Sequence, residues 1–194
     1  LMNPQIKFGE DLMSRVSYAM MNLSGTKDMT EAVIDSLNEL LKVMSKNANV
    51  PLGLVLEMVI VGNPIMHHIL LGIDPSELGQ APFALSINES IILPCSELGI
   101  KLNESANTYI LPCIAGHVGA DASAVVLSEG LKRKRSTTLV VDVGTNAEII
   151  LCHEKEILAC SSPTGPAFEG AQISDGQRAA PGAIEKVRID KTDK

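Results

Sequence analysis

Apolar positions repeat with a helical period through the first third of the chain and gather into short β-branched runs in its second half. Residues 10–22 set Leu12, Val16, Ala19 and Met20 on one side of a helix. Residues 29–46 align Val33, Leu37, Leu40, Leu41 and Met44 in one stripe, with Asp28 or Thr26 available as N-cap. Core packing accounts for that stripe. Residues 56–61 read as a buried strand running into Gly62-Asn63-Pro64, and a helix over 65–71 follows, with Asn63 as N-cap and Pro64 at its first position. Prolines 75, 82 and 94 and the polar stretch 103–107 break the next region into loops with short strands at 90–93 and 109–111, which reads as an inserted cap. A helix of small residues is expected over 120–130. Leu139 to Val143 then reads as a central strand, turning at Gly144-Thr145-Asn146 into a hairpin partner at 149–152. A third strand over 156–161, a hydroxyl-rich loop at 161–166, a short helix at 167–171 and a last strand at 185–189 complete the pattern.

Composition narrows the classes of function. The 194 residues suffice for one large domain or two small lobes, and 45% hydrophobic with 3% aromatic residues means a core of aliphatics and methionine. The net charge is −7, and the one basic cluster, Lys132-Arg133-Lys134-Arg135, fits a solvated helix end, so nucleic acid is a poor partner. No apolar run has the length of a membrane span, and the N-terminus lacks a signal-peptide layout. Cys95, Cys113, Cys152 and Cys160 form no C-x-x-C pair, so they read as mostly buried, reduced thiols of a cytoplasmic protein, not as metal or cluster ligands.

Candidate chemistry centres on Asp142. A carboxylate inside an apolar run is costly to bury without a partner. At a strand end facing a cleft, Mg²⁺ or its bound water supplies that partner, while the main chain of Gly144, Thr145 and Asn146 wraps a phosphate. The competing reading is an Asp capping its own hairpin turn. The strand–Gly–helix junction at Gly62 and Asn63 is a second place for an anion. Gly116 and Gly119 suggest a turn that hugs a neighbour or ligand, and Asp121 is either a helix N-cap or a carboxylate aimed into the cleft. His67 and His68 diverge on a helix, which disfavours joint metal binding; either serves as an active-site group or as an ordinary core or surface histidine.

Taken together, these residues resemble a known group. Asp142-Val143-Gly144-Thr145-Asn146-Ala147-Glu148 looks like a phosphate loop of the actin, sugar-kinase and heat-shock-chaperone ATPases. Three further segments accompany it: Val61 to Gly72, Ala115-Gly116-His117-Val118-Gly119-Ala120-Asp121, and Gly165-Pro166-Ala167-Phe168-Glu169-Gly170. That ordered set, with residues 3–16 ahead of it, is similar to the ATP-dependent reductive activators of corrinoid proteins.

The resemblance implies an α/β fold of incomplete actin-like (ribonuclease H-like) lobes, with mixed sheets flanked by helices. Residues 1–136 would be the remainder of a first lobe, with the inserted segment at about 73–111, and 137–194 the start of a second. It implies ATP and Mg²⁺ as cofactors, a [2Fe–2S] ferredoxin domain in the full-length protein only, and a corrinoid protein of a methyltransferase system as partner. Such activators return Co(II) corrinoid to Co(I) at the expense of ATP, and a homodimer is a family-level expectation. Mapped onto this chain, Asp142 orders Mg²⁺ through water, and Gly144, Thr145 and Asn146 contact phosphate. Gly165, Gly116, Gly62 and Asn63 line the cleft, and Asp121 or Glu148 orients the attacking water. Ser161, Ser162 and Thr164 would face the corrinoid protein, against the plainer reading of a strand-to-helix turn.

Two other functions compete: a small-molecule kinase of the same superfamily, and a non-catalytic scaffold or dimerisation module. The superfamily carries two D-x-G loops facing each other across the nucleotide, whereas this chain carries one and no ferredoxin cysteines. It is therefore expected to be an internal piece of the activator, inactive by itself. Calorimetric titration of the isolated chain with MgATP should accordingly show no tight binding, and a tight, saturable isotherm would contradict that expectation.

Overall fold

The computed structural model describes residues 2–9, 11–133, 136–144, 146–154 and 156–163. Two three-stranded sheets organise it. In the first, β1 (Glu57–Ile60) pairs parallel to β3 (Asn107–Ile110), and β2 (Ile91–Pro94) pairs antiparallel to the other side of β3. In the second, β4 (Thr138–Val143), β5 (Asn146–His153) and β6 (Glu156–Pro163) form an antiparallel meander.

Four helices accompany the sheets. Asp11 caps α1 (Leu12–Met21) by accepting from the Ser14 N–H at 2.8 Å. α2 (Gly25–Ala48) begins earlier than its apolar stripe indicates. Its N-cap is Ser24, which makes no side-chain cap bond; its Oγ donates instead to Asp28 in the first turn, at 2.9 Å. Val33, Leu37 and Leu41 of the stripe pack with Ile34 against the first sheet, while Met44 stands 56% exposed near the helix end. α3 (Pro64–Leu70) is capped as expected, with Asn63 Oδ1 accepting from the Met66 N–H at 2.9 Å. α4 (Ala120–Ser128) is capped by Gly119, so Asp121 is a first-turn residue and not the N-cap.

Three readings of the strands change. β1 lies at a sheet edge and alternates between exposed and half-buried positions, with Val59 58% exposed, so it is not a fully buried strand. The 73–111 stretch supplies both β2 and the central β3, so the first sheet is built through it. β4 is likewise an edge strand. The central strand of the second sheet is β5, whose Ile150 and Cys152 are fully buried. The apolar run in β4 reflects alternation: Val140 packs toward α4, whereas Leu139, Val141 and Val143 face away and stay exposed. The short helix expected at 167–171 and the strand expected at 185–189 lie outside the described residues.

The core divides into clusters that α2, α3 and α4 close over the sheets. Met29, Ile65, Ile69, Val16 and Leu78 form one beside α1, and Val118, Ala122, Leu131, Ile150 and Cys152 form another beneath α4. Asn38 stitches α2 to the segment between β2 and β3. Its Nδ2 donates to the Gly99 carbonyl at 2.9 Å, and its Oδ1 accepts from the Lys101 N–H at 2.7 Å. Asn38→Ala removes a buried amide and leaves two partly buried backbone groups without that partner. It should lower the unfolding free energy by about 2–3 kcal/mol in urea titration, whereas an effect below about 0.5 kcal/mol would show that water replaces the amide.

Candidate functional site

Gly62 ends the segment after β1 with its carbonyl pointed at the start of α4. It accepts from the Ala120 N–H at 2.9 Å and from the Asp121 N–H at 3.4 Å. The two chain segments touch so closely that a Cβ on Gly119 would lie 2.6 Å from both the Gly62 carbonyl oxygen and the Asn63 Cα. It would also lie 2.5 Å from Asp121 Oδ1. Only glycine fits at that crossing. Asn63 Oδ1 is engaged by Met66, so the polar groups of Gly62 and Asn63 tie α3 and α4 together and are not all open to an anion.

Asp121 stands half-buried at this corner, its Oδ1 accepting from the Ala122 N–H at 2.9 Å. Burial pushes its carboxyl above the ordinary aspartate range; the Ala122 amide works against the shift, and the negative charge of Asp142 adds to it. Asp142 shares the face of β4 that α4 covers. It is exposed near the end of β4, neither sealed off nor buried in an apolar run. In register, Asp142 lies opposite Glu148 and Glu148 opposite Ser161, which puts all three on the sheet face that α4 covers. Ser161 Oγ donates to Glu148 Oε1 at 3.1 Å.

The sequence-derived residues thus fall into groups. Gly62, Asn63, Asp121 and Asp142 come together, and Glu148 and Ser161 extend that corner across the sheet. Ser162 pairs with Ala147 on the opposite face. Gly144 donates its N–H to the Asn146 carbonyl at 2.9 Å, which closes the hairpin turn. Gly116 lies elsewhere, packed against Phe83. Thr145, Thr164 and Gly165 lie outside the described residues. Of the two glycines expected to hug a neighbour, Gly119 and not Gly116 makes the approach to the Gly62 segment, a distinction that the G-x-x-G spacing does not carry.

Among the described residues, no group of three or more histidine, cysteine or acidic side chains is placed to hold a metal ion directly. Asp121 and Asp142 offer oxygen ligands of the kind that a hard cation takes, one half-buried beside the glycine crossing and one exposed near the end of β4. The four cysteines are free, with Cys95, Cys113 and Cys152 buried and Cys160 exposed. Burial pushes the Cys113 thiol up to about 11. Among the described residues no helix is long and apolar enough to cross a membrane.

Both α3 histidines are buried. His68 is held neutral by burial, with Nδ1 donating to the Pro64 carbonyl at 2.8 Å and Nε2 accepting from the Ser86 N–H at 3.1 Å. Neither ring nitrogen of His67 finds a partner among the described residues, and burial, with His68 beside it, lowers its pKa to about 4.

Two small sheets closed by helices, with an edge-strand carboxylate beside a glycine crossing, make a mixed α/β arrangement. Residues 1–134 match the RACo middle region, and residues 136–194 match the C-terminal domain of RACo, the ASKHA domain. The chain belongs to this family. It is 35% identical over 187 residues to the corrinoid activation enzyme RamQ of Eubacterium limosum, covering 96% of this chain and 31% of that protein. It is 29% identical over 189 residues to the [Co(II) methylated amine-specific corrinoid protein] reductase of Methanosarcina barkeri, covering 93% of this chain and 34% of the relative. The fold superposes on a solved reductive activator for corrinoid, iron–sulfur protein with a TM-score of 0.83 at 36% identity, covering 96% of this chain and 30% of that one. The chain spans about a third of the length of these relatives, and its fold is the incomplete actin-like α/β arrangement expected from its sequence.

The histidines give the fold a pH dependence of known sign. A histidine with its folded pKa near 4 and its unfolded pKa near 6.5 binds its proton preferentially in the unfolded chain. Stability is thus complete above about pH 6.5 and falls toward pH 4, at up to about 1.4 kcal/mol per pH unit for each such ring. His67→Leu should flatten that slope in chemical-denaturation curves while leaving stability at pH 7.5 unchanged or higher, because the ring makes no hydrogen bond among the described residues. An unaltered slope would place the titration elsewhere.

Proposed function

We propose that this chain is part of an ATP-dependent activator that drives reduction of Co(II) corrinoid to Co(I) in a corrinoid protein of a methyltransferase system. Electrons come from a [2Fe–2S] domain outside this chain, and the protein works in the cytoplasm as a homodimer. The observation that carries the reading is Asp142: an exposed carboxylate near a strand end, close to Asp121, in a chain whose relatives act on corrinoid proteins or activate them. Those relatives also favour the activator over a small-molecule kinase.

In this reading Asp142 holds Mg²⁺ through water, and the main chain at Gly144, Thr145 and Asn146 faces the phosphates. When bound, Mg²⁺ neutralises charge on the transferring phosphoryl group. Asp121, its carboxyl raised by burial, sits where it can orient the attacking water and take its proton. Glu148 shares that task, oriented by Ser161. Gly62, Asn63 and Gly165 form the walls of the cleft. Of the hydroxyls expected to meet the corrinoid protein, Ser162 and Thr164 keep that role, while Ser161 serves Glu148. ATP drives the reduction because its bound and hydrolysed states favour different complexes with that partner.

Two substitutions test this in the chain at the full length of its relatives. Asp142→Asn should cut corrinoid-dependent ATP hydrolysis, and the spectral change from Co(II) to Co(I), by about 100-fold or more. Among the described residues beyond its chain neighbours, a Cβ on Gly144 comes no nearer than 3.4 Å to any atom, so Gly144→Ala is compatible with the fold there, and a loss of ATP affinity then reports on phosphate approach. Wild-type hydrolysis by the Asp142→Asn protein would refute the assignment.

A further inference from the structure

The loop at residues 80–86 has no role in the reading above, yet three of its side chains or backbone groups are fastened to the site's supporting elements. Leu85 packs both against the Met29–Ile69 cluster and against the Leu111–Cys113–Ala120 cluster at the start of α4. The Ser86 N–H donates to buried His68 at 3.1 Å. Between Gln80 and Leu85, Phe83 adopts φ of 58°, in the left-handed region that a bulky side chain avoids.

Phe83 is not buried in exchange, since the residue remains 37% exposed. What it gains is contact with the turn ahead of Asp121. The Phe83 ring meets the His117 ring at 4.4 Å between centroids and 59° between planes. Its carbonyl presses on Gly116 so closely that any Cβ there would overlap it. The turn it touches is short and closed on itself: Ala115 and Val118 exchange both backbone hydrogen bonds at 3.0 Å. Gly119, Ala120 and Asp121 follow immediately. A backbone outlier fastened to a turn that leads into a candidate site is how a fold fixes a group against its own local preference.

We infer that Phe83 and His117 are positioning residues: the loop at 80–86 braces the 115–118 turn, and through it sets Asp121 at its place beside Asp142. This rests on the nucleotide-site reading of Asp121 and Asp142. Bracing of this kind governs how well the corner is formed before nucleotide arrives, so its loss appears chiefly in KM.

The test uses steady-state ATP hydrolysis in the presence of the corrinoid protein, with the chain at the full length of its relatives. Phe83→Ala and His117→Ala should each raise KM for MgATP about tenfold, with kcat within about twofold of wild type. Phe83→Tyr, which keeps the ring, should restore the wild-type KM. His117 is exposed, so its truncation keeps the test valid even where Phe83→Ala does not accumulate as folded protein. Unchanged KM in His117→Ala, while Asp142→Asn inactivates the same preparation, overturns the brace and leaves the nucleotide site standing. Full activity in Asp142→Asn overturns the nucleotide site itself, and the brace with it.

Discussion

One backbone carbonyl, that of Gly62, holds the architecture together by accepting from the first two N–H groups of α4. The start of a helix always presents amides without an intrahelical partner, and burying them unpaired is costly. Here the strand-to-helix turn of the first sheet supplies the acceptor, so β1, α3 and α4 meet at one point. Gly119 permits the approach, and Asn63 caps α3 from the same turn. Everything at the candidate site is placed relative to this crossing: Asp121 one residue into α4, and Asp142 on the strand that α4 packs against.

That crossing creates an electrostatic demand that the described residues do not meet internally. Asp121 is half-buried beside a second carboxylate, and the Ala122 amide offsets only part of the cost. Glu148 continues the acidic row, and the Ser161 hydroxyl donates to it. The His67–His68 pair shows the opposite solution nearby: two rings kept neutral by burial, one satisfied by Pro64 and Ser86 and the other without a hydrogen bond among the described residues.

Legibility in the sequence followed the range of the interaction concerned. The α2 stripe, the Asn63 cap with Pro64 behind it, and the β4–β5 hairpin are set by residues within a few positions of each other, and all three are present. Strand burial was misread for a physical reason. A run of Leu139, Val140, Val141 and Val143 is apolar on both faces, so periodicity alone does not distinguish a central strand from an edge strand with one uncovered face. The Asp121 cap failed similarly: an aspartate near a helix start usually accepts from the first turn, but Gly119 already occupies the cap and a distant carbonyl bonds the amides.

The sequence by itself determined the family and the acidic character of the candidate site. Those follow from the D-x-G-T segment and its companion glycine motifs, whose local backbone demands are written in the residues. Tertiary structure alone decided that Asp121 faces Asp142, that Gly119 and not Gly116 lies at the crossing, and that Phe83 leans on the turn between them. Each of these depends on contacts between segments at least twenty residues apart, where the geometry is set by how sheets and helices close on one another and not by any local pattern.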